Sequence, residues 1–149
     1  MGEYRGRLYH DTPTWVPDGA RFHIRLRALQ NQSPLTNPEL AAELLLAVRR
    51  YHQLEHWWCE LFLLMPDHAH AIFAYPATPG ITITMRNWKR GTNRFQHTEW
   101  QEGFFDHLLR SSESYSEKWE YVRMNPVRAG LCTEPEQWPY QGEIVNIRY

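Results

Sequence analysis

The segment WWCELFLLMPDHAHAIFAYP, residues 57–76, constrains the fold of this chain more than any other. Residues 57–65 are almost continuously apolar, so a strand there belongs at the centre of a sheet. Pro66 and Asp67 supply a turn, and the residues that follow return as the hairpin partner. In that partner His68 and His70 stand two apart. Strand alternation puts both on one face and Ala69 and Ala71 on the other. Two imidazoles so placed can converge on one metal ion or one phosphate, but a tight metal site needs a third ligand from elsewhere. The same pattern also arises when one histidine is hydrogen-bonded in the core and the other is exposed.

The flanking segments complete the sheet. Residues 21–29, RFHIRLRAL, alternate Phe22, Ile24, Leu26 and Ala28 with polar residues, which predicts a half-buried strand. In the next segment Asn37 can cap a helix, and Pro38 sits where a missing N–H costs nothing. Leu40, Leu44, Val48 and Tyr51 then repeat at helical spacing. A second helix is predicted from residue 81. Ile81, Met85, Trp88, Thr92 and Phe95 line one side, and Arg86, Arg90 and Arg94 line another, with Lys89 nearby. Residues 101–110 predict a fourth strand. A third helix starts in SSESY and closes at Pro126. The remainder reads as mostly irregular, with Trp138 and Tyr140 able to cover the core. This order is α+β, the ferredoxin-like β-α-β-β-α-β pattern with an added C-terminal helix. It predicts a four-stranded antiparallel sheet with helices on one face, in a single domain over residues 1–149.

On that third helix Ser114, Lys118, Tyr121 and Asn125 fall on one polar stripe, beside an apolar stripe of Tyr115, Trp119 and Val122. The apolar stripe is expected to dock on the sheet and leave Tyr121 and Asn125 along its margin. Asn125 can then offer a carbonyl oxygen to a metal, with the Tyr121 hydroxyl one turn away. Taken alone, Tyr121 reads more simply as a packing residue, and Asn125 before Pro126 as the end of the helix.

MPDHAH followed by EYVRMNPVRAGL resembles the HUH single-tyrosine transposases, in particular the REP-associated tyrosine transposases of bacteria. The segments YHDTPTWVPDGA, WWCELFLLMPDHAHAIFAYP and FFDHLLRSSESYSEKWEYVRMNPVRAGL are similar to that family too, so the likeness covers most of the chain. The resemblance implies a ferredoxin-like fold, His68, His70 and Asn125 as metal ligands, and Tyr121 as nucleophile. It implies a transposase that cleaves and rejoins single-stranded DNA through a 5′-phosphotyrosine link, with Mg2+ or Mn2+ as cofactor. Its implied partner is single-stranded DNA that folds into hairpins of repetitive palindromes. Histidines that ligate must be neutral, so activity is expected to fall below about pH 6.

Sixteen Lys and Arg against seventeen Asp and Glu give a formal charge of −1, which argues against gripping duplex DNA by charge alone. Arg86, Lys89, Arg90 and Arg94, with Arg110, Lys118 and the basic residues before position 28, are the candidate DNA contacts, and Trp88 or Trp100 can stack on bases. A basic stripe on an amphipathic helix is also simply its solvated face. Residues 1–13 lack the apolar core of a signal peptide, no apolar run is long enough to span a bilayer, and Cys59 and Cys132 form no CxxC pair. A cytoplasmic protein, monomeric or dimeric and without an evident protein partner, is expected. Two other function classes fit the same residues: a DNA-hairpin-binding regulator without catalysis, and a metal-dependent phosphodiesterase in which Tyr121 only packs.

Overall fold

The computed structural model describes residues 21–142; the loop over residues 10–20 and the arginines before Arg21 lie outside them. In chain order the elements are β1 (Arg21–Arg27), α1 (Pro38–Gln53), β2 (Trp58–Leu64), β3 (His68–Ala74) and α2 (Ile81–Gln96). There follow β4 (Phe105–Leu109), α3 (Ser112–Arg123), the short α4 (Asn125–Arg128) and β5 (Gln141–Gly142). The sheet runs β4-β1-β3-β2-β5 with every neighbouring pair antiparallel. The first four strands and the two helices between them are the ferredoxin-like arrangement.

Local chemistry sets the element ends. The Asn37 side chain accepts from the amides of Glu39 and Leu40, both at 3.1 Å, so donors at the start of α1 are satisfied and Pro38 has none to lose. Ser111 caps α3 by accepting from the Ser114 amide at 3.0 Å. His97 ends α2 in the left-handed region at φ 56°.

The sheet is covered on both faces. On one, Ile24, Leu26, Ala69, Ala71, Phe73 and Phe62 pack with Leu44 and Val48 of α1 and Met85 and Trp88 of α2. Trp57 fills the middle, its ring 5.0 Å from Phe73 and 5.6 Å from Trp88. On the other face Leu61, Leu63, Ile72 and Leu109 pack with Val122, Tyr115 and Trp119 of α3 and with Trp138. Full burial of one such side chain contributes roughly 1.5–3 kcal/mol. Two hydrogen bonds fix this second layer: the Tyr115 hydroxyl donates to Glu60 at 3.0 Å, and Trp138 Nε1–H donates to the Leu64 carbonyl at 2.9 Å.

Three details depart from the reading of the sequence. Pro126 does not close the tyrosine helix. α3 ends at Arg123, Met124 makes a turn, and Pro126 lies in the first turn of α4, where its missing N–H costs nothing. Phe95, on the apolar stripe of α2, is 68% exposed, in the last turn of that helix. The C-terminal segment adds a two-residue edge strand beside β2. No helix among the described residues is long and apolar enough to cross a membrane.

His52 in α1 makes stability depend on acid. Its Nδ1 accepts the Cys59 amide at 3.0 Å, its ring lies 4.6 Å from Trp58, and burial pushes its pKa from 6.5 down to about 4. Between those values the unfolded chain takes up a proton that the folded one refuses. The stabilisation is therefore full above about pH 6.5 and is lost as pH falls toward 4. Urea unfolding at pH 7.5 and pH 5 should show wild type losing more stability on acidification than His52→Gln, by about 2 kcal/mol. An equal loss in both proteins would assign the acid sensitivity elsewhere.

Candidate active site

Strand register assembles the site. Across the β1–β3 ladder His68 opposes Arg27, His70 opposes Arg25 and Ile72 opposes His23; across β1–β4 His23 opposes His107 and Arg25 opposes Phe105. Directly opposed residues share a face. All of these side chains therefore lie on the α3 side of the sheet, with Ala69 and Ala71 beneath α1 and α2.

The histidines form a graded set from rim to interior. His68 is half-buried at the start of β3, and its Nδ1 lies 2.7 Å from Asp67 Oδ1. His70 and His23 are each only 3% exposed. His70 Nδ1 lies 2.9 Å from His23 Nε2, with the two rings nearly parallel at 10°. Among the described residues no hydrogen bond reaches Nε2 of His68 or of His70, so each ring has one nitrogen held by the protein and one left over. If His70 carries its proton on Nδ1 and donates to His23, its Nε2 presents a lone pair. His23 then carries its proton on Nδ1, an atom that is buried without a partner. A carboxylate or neutral acceptor behind a histidine is the arrangement that orients metal-binding imidazoles.

Tyr121 is 48% exposed on α3, with two cations against its ring: Lys118 Nζ at 4.7 Å from the centroid and Arg128 Cζ at 4.3 Å. Arg128 also donates to the Tyr121 carbonyl at 2.7 Å. The same cations are felt by the histidines. Burial, then the charges of Lys118 and Arg25, and then His107, push His23 down to about 4. Burial, then His23, His68, Arg25 and Arg128, push His70 down to about 2. The loss of activity below pH 6 expected of ordinary histidines therefore does not carry over to His70. Asn125 donates through Nδ2 to the carbonyls of Tyr121 and Val122 at 3.3 and 3.1 Å, leaving Oδ1 without a protein partner among the described residues.

The donor set of His68 Nε2, His70 Nε2 and Asn125 Oδ1 suits a divalent ion that also takes phosphate oxygens and water. Among the described residues no three His, Cys, Asp or Glu side chains gather into a metal site.

The candidate DNA contacts divide. Lys118 stands beside Tyr121, and Arg110 is exposed just past β4. Arg86, Arg90 and Arg94 are on the exposed side of α2, across the sheet from the histidines, because the buried stripe of that helix holds its basic stripe outward. The Lys89 amine donates to the carbonyls of Gln101 and Gly103, which ties it to the loop before β4. Trp88 is buried, and Trp100 donates through Nε1 to Thr92 at 2.9 Å. The sequence pointed to Arg25 only as one of the basic residues before position 28, and to His23, Arg128 and His107 not at all; His23 and Arg25 are the first two of this set along the chain. The signal for the first two was available: HIR in β1 is a second pair of polar residues two apart, on a strand that the ferredoxin-like order sets beside β3.

Known proteins resemble this chain in sequence and in fold. It is 26% identical over 145 residues to the REP-associated tyrosine transposase of Escherichia coli strain K12, covering 94% of this chain and 81% of that protein. A candidate protein of the same description from Haemophilus influenzae is 22% identical over 94 residues, 52% of this chain and 53% of its own length. A solved REP-associated tyrosine transposase bound to a REP hairpin shares the fold at a TM-score of 0.72 and 20% identity, covering 95% of this chain and 82% of that one. A candidate transposase from Deinococcus radiodurans does so at 0.50 and 15%, covering 82% and 95%. No protein-family model matches. In sequence along nearly its whole length, and in fold, the chain is similar to REP-associated tyrosine transposases.

Proposed function

We propose that the protein binds hairpin-forming single-stranded DNA and cleaves and rejoins it as a transposase, with Tyr121 as nucleophile. What supports this reading is that two imidazoles with spare Nε2 atoms lie on the sheet face on which the tyrosine helix packs, and that two cations lie against the tyrosine ring. The similar solved protein is bound to a REP hairpin, which supports a DNA hairpin as partner here.

In this reading Lys118 and Arg128 receive the phosphate that brings the scissile bond to Tyr121. His68 and His70, with Asn125, would hold a Mg2+ or Mn2+ ion, which when bound draws charge from the phosphate oxygens. Tyr121 Oη forms a bond to phosphorus while the bond from phosphorus to the 3′ oxygen breaks, and the phenol proton ends on the freed 3′-hydroxyl. One phosphodiester is exchanged for another, so rejoining by a second 3′-hydroxyl needs no nucleotide cofactor. Asp67 and His23 keep the imidazoles oriented; Tyr115 and Glu60 keep α3 docked.

Incubation with a hairpin oligonucleotide carrying single-stranded flanks, in Mn2+, should give a covalent protein–DNA band on a denaturing gel, absent in Tyr121→Phe. Cleavage without that band would favour hydrolysis, and binding without cleavage the hairpin-binding regulator. Lys118→Met and Arg128→Met should each weaken hairpin binding about five- to tenfold and lower its salt slope by about one phosphate. Unchanged binding in both, measured by fluorescence anisotropy across a salt series, would remove these cations from the DNA path.

A further inference from the structure

The two consecutive phenylalanines that lead into β4 have opposite fates. Phe104 turns inward and packs against the core formed with α1 and α2, under the Lys89 amine. Phe105 turns to the histidine face, belongs to neither core cluster and keeps 43% of its surface exposed. A lone exposed apolar side chain is ordinary, but the position of this one is not. It is the cross-strand partner of Arg25, whose guanidinium carbon lies 5.0 Å from the ring centre, and Arg25 is in turn the partner of His70. The ring also meets His23 edge-on at 5.8 Å. His70, Arg25 and Phe105 thus form one row across three strands, running from the imidazoles to an open aromatic surface at the sheet edge.

We propose that Arg25 and Phe105 form a nucleotide-holding subsite for the single-stranded DNA beside the cleaved bond. The guanidinium takes a backbone phosphate and the phenyl face takes the neighbouring base. This rests on the DNA-processing reading above and goes beyond it by naming what holds the unpaired strand. A chain with a formal charge of −1 draws little non-specific affinity from charge, so stacking, which every base can make, is the other physical source of grip on an unpaired strand.

Two hairpin oligonucleotides test this, one blunt and one with single-stranded extensions on both sides. Phe105→Ala should weaken binding to the extended hairpin about tenfold and leave the blunt one unchanged, and Phe105→Trp should restore wild-type affinity. With 2-aminopurine at successive positions of the extensions, one position beside the stem should be quenched by wild type and not by Phe105→Ala. If Phe105→Ala does not fold by circular dichroism, Phe105→Gln keeps the bulk without the aromatic face. Unchanged affinity for the extended hairpin, equal loss for both hairpins, or failure of the tryptophan to rescue would overturn the subsite. The tyrosine adduct separates this from the parent reading. Selective loss in a protein that forms no adduct keeps the subsite and removes strand transfer. A normal adduct with unchanged binding in Phe105→Ala does the reverse.

Discussion

The register of β3 between β1 and β2 is the constraint on which the site depends. With Ala71 opposite Ile24 and Phe62, and His70 opposite Arg25 and Leu63, the small residues lie under two helices and the imidazoles face the third. A slip by one residue would drive both histidines into the layer that holds Trp57, Phe73 and Trp88 and bring the alanines out. Each buried imidazole would then lose its partner, at a cost of roughly 1–3 kcal/mol per unsatisfied group. The apolar run of β2 and the turn at Pro66 and Asp67, where the Met65 amide donates to the His68 carbonyl at 2.8 Å, hold that register.

The charges around the histidines serve two ends through one field. Burial most of all disfavours a proton on His23 or His70, and Arg25, with Lys118 at His23 and Arg128 at His70, acts in the same sense. Imidazoles kept neutral retain lone pairs. The same cations, gathered on one side of a protein of nearly zero net charge, make that side attractive to phosphate. A buried histidine pair is thereby compatible with a cationic surface a few residues away.

Much of this was legible in the sequence where the signal is local. The hairpin over residues 57–76, the Asn37–Pro38 start of α1, the faces of α2 and the element order all follow from periodicity and capping chemistry. What escaped was tertiary. Periodicity gives the polar stripe of α2 but not which side of the sheet it faces. Right-handed crossovers put α1 and α2 on one face, and the small Ala69 and Ala71 mark that face, so the separation of Arg86, Arg90 and Arg94 from the histidines could have been read. Lys89 reads as a surface cation until the loop that captures it is folded. His23 reads as a solvated residue of a half-buried strand until the sheet sets it against His70 and buries it. Phe95 reads as core from its helical spacing, yet it is exposed in the last turn of α2.

The central claim is that the imidazoles of β3 and the phenol of α3 share one cation. Paramagnetic broadening by Mn2+ measures this directly, since it falls steeply with distance from the ion. Titrating Mn2+ into protein with labelled histidine and tyrosine rings should broaden His68, His70 and Tyr121 together, and His70→Ala should abolish the effect on all three. Broadening of the histidines while the Tyr121 ring stays sharp, with and without hairpin DNA, would contradict a shared site.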